Sequence, residues 1–169
     1  AYYEFYGNSA QSLLDRYDNV VVIRTCSKAF SLAGLRLGYM LCKPDVAVHL
    51  EKAKLPFSVG IFQQIAGEVL MKNHTYILKI AGQIVEERER ILKEMLALPN
   101  INVVPSYTNF ILFEIEHKTA PEVYQAFYDK GVLIRVFKGG RLDSFVRMTV
   151  GSPYENNVFL KKLTQITGE

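Results

Sequence analysis

Arg24-Thr25-Cys26-Ser27-Lys28-Ala29-Phe30, followed by Ser31 to Tyr39 (SLAGLRLGY), holds the residues best suited to chemistry. The β-branched run before it, Asn19 to Thr25 (NVVVIRT), predicts a strand, so Lys28 directly follows a strand end. Strand ends are where α/β proteins place ligands. Burial there would disfavour the ammonium form and leave a nucleophilic amine, able to form a Schiff base with a carbonyl compound. Ser27 adds a hydroxyl beside it, and Arg36 adds a guanidinium. A guanidinium can grip phosphate through two parallel hydrogen bonds. Together the three suit an aldehyde cofactor that carries a phosphate, and pyridoxal phosphate has that chemistry. The same residues also fit an exposed turn followed by a surface strand residue, and their types alone leave both readings open.

Positioning them requires a core on either side. Ala1 to Gly7 reads as an aromatic, strand-like segment that turns at Gly7-Asn8. Ser9 can cap a short helix through about Tyr17, with Leu13 and Leu14 inward. The lack of alternation in Asn19 to Thr25 predicts a strand buried on both faces. Leu35 to Cys42 (LRLGYMLC) reads as a second strand, joined to the first by a polar, small-residue loop. Pro44 opens a predicted helix through about Lys54, and Pro56 breaks the pattern. Ile61, Ile65 and Val69, with Phe62, Ala66 and Leu70, have helical spacing. A further helix is predicted from about Tyr76 to Leu98, with Ile77, Ile80, Ile84, Ile91 and Met95 near one face. Glu86–Arg90 and Glu89–Lys93 stand in the favourable acid-first order, and the run EERERILKE reads as a solvated face.

After Pro99 the pattern becomes strand-rich. Ile101 to Val104, Phe110 to Ile115, Val132 to Phe137 and Phe145 to Val150 are predicted strands. A helix over Pro121 to Lys130 separates the second and third, with Pro121 at its start and Gly131 just past its end. Ser152-Pro153-Tyr154-Glu155 has capping-box spacing and starts the last helix. The order β-β-α-β-β-α predicts a two-layer α/β unit.

Composition narrows the function classes. Twenty basic against 17 acidic residues leave a net charge of +3, and the basic residues are dispersed. Nucleic-acid binding needs a concentrated basic footprint, so none is expected. No run of ~18 apolar residues predicts a membrane span. A basic-then-apolar leader is not visible. Cys26 and Cys42 read as reduced, cytosolic thiols, although the sequence does not decide against a bridge between them. His49, His74 and His117 are scattered without metal-ligand spacing, so no metal is expected. Asn73-His74-Thr75 matches a glycosylation sequon that short motifs meet by chance.

The block RTCSKAFSLAGLRLGY resembles the cofactor-lysine region of fold-type I aminotransferases, most closely the histidinol-phosphate aminotransferase family. AYYEF is similar to the segment just after that family's ring-nitrogen aspartate, GVLIR to another recurrent block, and FVRMTVGSPYEN to its C-terminal arginine motif. The four blocks stand in family order from Ala1 to about Asn157. The resemblance implies an α/β fold: the C-terminal part of a fold-type I aminotransferase, with a partial large-domain sheet plus a two-layer small domain. Residues 1–75 would belong to the large cofactor-binding domain, 76–98 to a bridging helix and 99–169 to the small domain.

The resemblance also implies roles. Lys28 would be the Schiff-base lysine and proton shuttle of pyridoxal 5'-phosphate chemistry. Ser27 and Arg36 would bind the cofactor phosphate, and Tyr2 the cofactor's phenolic oxygen. Arg147 would bind the amino-acid carboxylate and help hold the substrate phosphate, and Arg135 would contact the phosphate of histidinol phosphate, with the two regions folded over a shared cleft. Asn109 in TNFIL is either a site-lining or a turn residue. A core aromatic for Tyr2 and surface ion pairs for the arginines remain alternatives.

The implied parent is a cytoplasmic homodimer, or another homo-oligomer, that acts on small molecules in histidine biosynthesis. It would move an amino group between glutamate and imidazole acetol phosphate. In the family, the ring-nitrogen aspartate, the stacking aromatic and the glycine-containing phosphate loop precede the segment resembling Ala1. The 169 residues alone are therefore expected to be inactive, to bind cofactor weakly or not at all, and to associate through open strand edges. An aromatic aminotransferase, a threonine-phosphate decarboxylase and a non-catalytic module binding anions or a partner are the competing readings.

Overall fold

A computed structural model describes residues 1–168. The chain divides into two units, Ala1–Ala81 and Gly82–Glu169. In the first, the aromatic opening expected as a strand is a single helical turn, α1 (Tyr3–Tyr6). Tyr2 precedes it at φ 63° and Gly7 closes it at φ 81°. The amides of Phe5 and Tyr6 both donate to the Tyr2 carbonyl, and these local bonds override the β propensity of the aromatics. Ser9 caps the next segment as expected, its Oγ accepting from the Gln11 amide at 3.0 Å. That segment is a 3-10 helix, Ala10–Asp15, and its Leu13 is exposed rather than inward.

β1 (Val21–Thr25) pairs antiparallel with β2 (Gly38–Cys42), setting Thr25 opposite Gly38. A side chain at Gly38 would place its Cβ 2.7 Å from the Arg24 carbonyl oxygen, so the close ladder needs glycine there. β2 starts later than the sequence pattern suggests, because Ala33–Leu35 forms a 3-10 turn. The expectation that β1 is buried on both faces fails: Ile23 is 70% and Met40 52% exposed. These two strands make a two-stranded sheet, too small to cover both of its own faces.

Two predicted helices come next, α2 (Pro44–Ala53) and α3 (Ile61–Lys72). The apolar spacing of α3 is helical, but Ile61, Phe62, Ile65 and Val69 are exposed while Leu70 is buried. α4 (His74–Leu96) then runs across the division between units. Among the described residues no helix is long and apolar enough to cross a membrane.

The second unit is two-layered. β3 (Ile101–Val104), β4 (Phe110–Ile115), β5 (Arg135–Val136) and β6 (Val146–Thr149) form an antiparallel sheet in the order β3-β4-β6-β5. Between β4 and β5 lies α5 (Ala120–Asp129), and α6 (Pro153–Thr167) closes the chain. β4 alternates half-buried and buried positions along its length. Its inward residues Ile111, Phe113 and Ile115 join Val146 and Met148 of β6 in a core with Ile91 and Met95 of α4.

At the centre of that core the rings of Phe113, Phe127 and Phe159 meet. Phe127 stacks on Phe159 at 5.1 Å, and Phe113 meets each edge-on. Both helices of the layer begin in capping boxes, Thr119 with Glu122 and Ser152 with Glu155. The expected Glu86–Arg90 pair gives way to other partners: Arg90 bonds Glu87 and Glu94 instead. EERERILKE is also not simply a solvated face, since Arg88 is 3% exposed and Ile91 fully buried.

Candidate functional site

The first unit carries the lysine segment. The chain leaves β1 through a tight loop closed by its own backbone. Cys26 N donates to Leu37 O, Ser31 N to Lys28 O and Leu32 N to Cys26 O, each at 3.0 Å. Cys26, Ala29 and Phe30 are buried and anchor the loop, while Lys28 between them points out. Ser31 and Arg36 hold positive φ without being glycine. Such backbone costs about 1–3 kcal/mol per residue and collects at functional sites.

Lys28 is exposed rather than buried as the sequence reading expected. Its Nζ lies 5.8 Å from the centre of the Tyr2 ring. The structure thus brings Tyr2 and Lys28 together across the sequence. Ser27 is turned towards Thr25, whose Oγ1 donates to Ser27 Oγ at 2.9 Å and accepts from the Ser27 amide at 3.1 Å. Arg36 is exposed and donates from Nη1 to the Ala33 carbonyl at 2.8 Å. Arg36 lies just ahead of β2 rather than within a strand.

The adjacent thiol is a poor competitor for this chemistry. Burial pushes the Cys26 thiol up, and Glu4 adds to the shift. Cys26 and Cys42 are both free. An amine, a hydroxyl and a guanidinium on one loop, with a phenol at hand, fit a phosphate-bearing aldehyde as a donor set.

The second unit carries the arginines. Arg135 of β5 is registered directly opposite Arg147 of β6, so both lie on one face of the sheet. The inward residues Val146 and Met148 alternate with Arg147, placing that face away from the core. The Arg147 guanidinium sits 4.9 Å from the centre of the Phe110 ring and 6.0 Å from that of Phe137. Its Nε is buried and has no hydrogen-bond partner. Neither arginine makes an ion pair among the described residues. Two like charges in register and an unsatisfied buried donor call for an anion. Asn109 stands at the entry to β4, where its carbonyl accepts from the Val150 amide at 2.9 Å, a sheet-closing role.

Sequence reasoning missed the buried polar residues behind this face. Arg88 donates from Nη1 to the Thr108 carbonyl at 3.1 Å and grips Glu89 Oε1 through Nε and Nη2. Asn156 is 1% exposed, bonds both backbone groups of Gly151, and donates to Glu87 Oε2 at 2.8 Å. Bonds from Arg90 first, then Asn156, hold the Glu87 carboxyl below its usual range. The only sequence signal was a charged residue falling on the turn that leads to Ile91.

The model of the family "Aminotransferase class I and II" matches residues 1–163. Histidinol-phosphate aminotransferase 1 of Carboxydothermus hydrogenoformans is 45% identical over 166 residues, covering 98% of this chain and 47% of that protein. The crystal structure of the histidinol-phosphate aminotransferase from Clostridium acetobutylicum superposes with a TM-score of 0.86 at 26% identity. It covers 99% of this chain and 52% of that one. The enzyme from Sinorhizobium meliloti, solved in complex with pyridoxal-5'-phosphate, is similar at 25% identity and TM-score 0.76, over 99% of this chain and 47% of its own. The chain spans about half the length of the curated relatives it matches. With its lysine loop, its mixed α/β architecture and a family match over nearly all of its length, the chain belongs to the class I and II aminotransferases.

Proposed function

We propose that this chain supplies the cofactor lysine and the substrate-binding arginines of a histidinol-phosphate aminotransferase. Such an enzyme moves an amino group between glutamate and imidazole acetol phosphate. The observation that carries the reading is the registered pair Arg135–Arg147 on one open sheet face. Two substrates that take turns at one site, an amino acid with carboxylates and a phosphate ester, explain two cations so placed. The likeness to histidinol-phosphate aminotransferases supports the same choice.

Pyridoxal phosphate, when bound, supplies an electron sink for the pair left as a substrate C–H proton departs. Lys28 would hold the cofactor at Nζ and move that proton. Ser27 and Arg36 would bind its phosphate, and Tyr2 would orient its ring oxygen. Arg147 would bind the substrate carboxylate and Arg135 the substrate phosphate. Asn109 would line this face through its place at the head of β4. We further propose a homodimer working in the cytoplasm. The exposed apolar residues of α3 and the free thiols support those two assignments.

The test is amino transfer by the complete protein, with 2-oxoglutarate as acceptor. Histidinol phosphate should be used far better than phenylalanine. A preference for phenylalanine, or release of carbon dioxide in place of amino transfer, overturns the assignment.

A further inference from the structure

Arg147 is held from behind. Its guanidinium rests on the Phe110 ring, and Phe110 begins β4 immediately after the turn 105–109. That turn is braced by side chains. Thr108 Oγ1 accepts from the Phe110 amide and donates to the Phe110 carbonyl, both at 3.2 Å. Ser106 Oγ accepts from the Thr108 amide at 3.2 Å and also donates to the Phe110 carbonyl. The Thr108 carbonyl, facing the other way, is taken by buried Arg88 of α4 at 3.1 Å.

The neighbouring α4 residue does the same for the C-terminal end of the partner strand, which lies beside Phe110. Glu87 bonds Asn156, and Asn156 clamps the amide and carbonyl of Gly151 at 2.9 and 3.0 Å. Gly151 follows β6 directly after Val150, and the Val150 amide bonds the Asn109 carbonyl. Adjacent residues of one helix turn thus fix both chain segments that frame Phe110 and Arg147. Burying a guanidinium is costly unless it is fully bonded. A solvated arginine would have served α4 itself as well, so the position of Arg88 has to be explained by what it holds.

We infer that Arg88 is a positioning residue for substrate recognition: through the Thr108 carbonyl it sets the Phe110 platform on which Arg147 presents its guanidinium to an anion. The inference rests on the reading of Arg147 as the carboxylate-binding arginine. Glu87 and Asn156 are the second half of the same clamp.

The experiment uses the complete enzyme and succinate, a dicarboxylate without an amino group, as the probe. Calorimetry gives its Kd, and steady-state kinetics give KM and kcat for glutamate. Arg88→Met should raise both Kd and KM about tenfold, short of the ~100-fold cost of a 1 Å misplacement. kcat should stay within about twofold, the pattern of lost ground-state binding. Arg88→Lys, which keeps one donor and the charge, should recover part of the loss. A folded Arg88→Met that binds succinate like the parent overturns the inference. If that variant does not fold, Phe110→Leu decides, since it removes the platform and leaves Arg88 and its partners in place: unchanged succinate affinity overturns the inference. Arg147→Ala separates the two levels. If it leaves succinate binding intact, the reading of Arg147 itself fails. If it abolishes binding while Arg88→Met and Phe110→Leu do nothing, only the clamp fails.

Discussion

Arg135 and Arg147 are direct cross-strand partners, one on edge strand β5 and one on β6. Like charges so registered destabilise a sheet, and the buried Nε of Arg147 adds an unsatisfied donor. If the pair binds an anion, as proposed, its cost to the fold should be visible when none is bound.

Inorganic phosphate is expected to raise the thermal midpoint of the protein in proportion to the logarithm of its concentration. At 100 times the Kd the gain is ~2.7 kcal/mol. Arg135→Leu should raise the midpoint in phosphate-free buffer and blunt the phosphate response. A differential scanning series over phosphate concentration checks both. An Arg135→Leu variant that is less stable and equally responsive would remove this site from consideration.

Lys28 stands exposed between buried Ala29 and buried Cys26, so its removal should leave the loop intact. In the complete enzyme, Lys28→Ala is expected to fold normally and lose transamination by about 10²–10⁴-fold, the usual worth of a positioned proton-transfer group. Borohydride reduction followed by mass spectrometry should attach pyridoxal phosphate to the parent at Lys28 and not to the variant. Unchanged transamination in Lys28→Ala would remove Lys28 from the chemistry.

Local signals were legible in the sequence, and burial was not. Ser152-Pro153-Tyr154-Glu155 announces its capping box because every partner lies within four residues. β3 and β4 keep their predicted bounds, since alternation and turn residues are local too. Ile23 reads as core from its β-branched neighbours, yet it is exposed, because burial depends on what packs against the sheet. Arg88 shows the reverse failure. Its helical neighbours are charged and its run looks solvated, but its partner is a carbonyl in a turn 20 residues away. The sequence also does not show the backbone turn at 33–35 that lets Arg36 donate to the Ala33 carbonyl.

Glu87 makes stability sensitive to acid. Its carboxyl is held below its usual range in the folded state, by Arg90 first and then by Asn156. A group whose folded pKa is depressed contributes stability above its unfolded pKa and loses it as pH falls through the folded value. The contribution is thus complete at neutral pH and drains away as pH drops below about 4.5. Glu87→Gln should lower stability at pH 7 and flatten the pH dependence between about 5 and 3. Urea midpoints measured across that range check the sign; a steeper acid limb in the variant contradicts it.

Phe113 is the keystone of the second unit. It is fully buried, and its ring meets Phe127 at 6.3 Å and Phe159 at 5.8 Å, both edge-on. It therefore joins β4 to α5 and α6 at once. Phe113→Ala removes a whole ring from a site that three elements hold open, and such a deletion costs ~3–5 kcal/mol. That is a large share of the ~5–15 kcal/mol that stabilises an ordinary domain. Phe113→Leu keeps most of the volume and should cost much less, about 1–2 kcal/mol. Both substitutions act on the inward face of β4, whereas Phe110 and Arg147 occupy the outward one. Phe113→Leu should accordingly lower the urea midpoint while leaving succinate affinity near the parent value. A loss of affinity matching the loss of stability would mean that the sheet does not insulate its two faces.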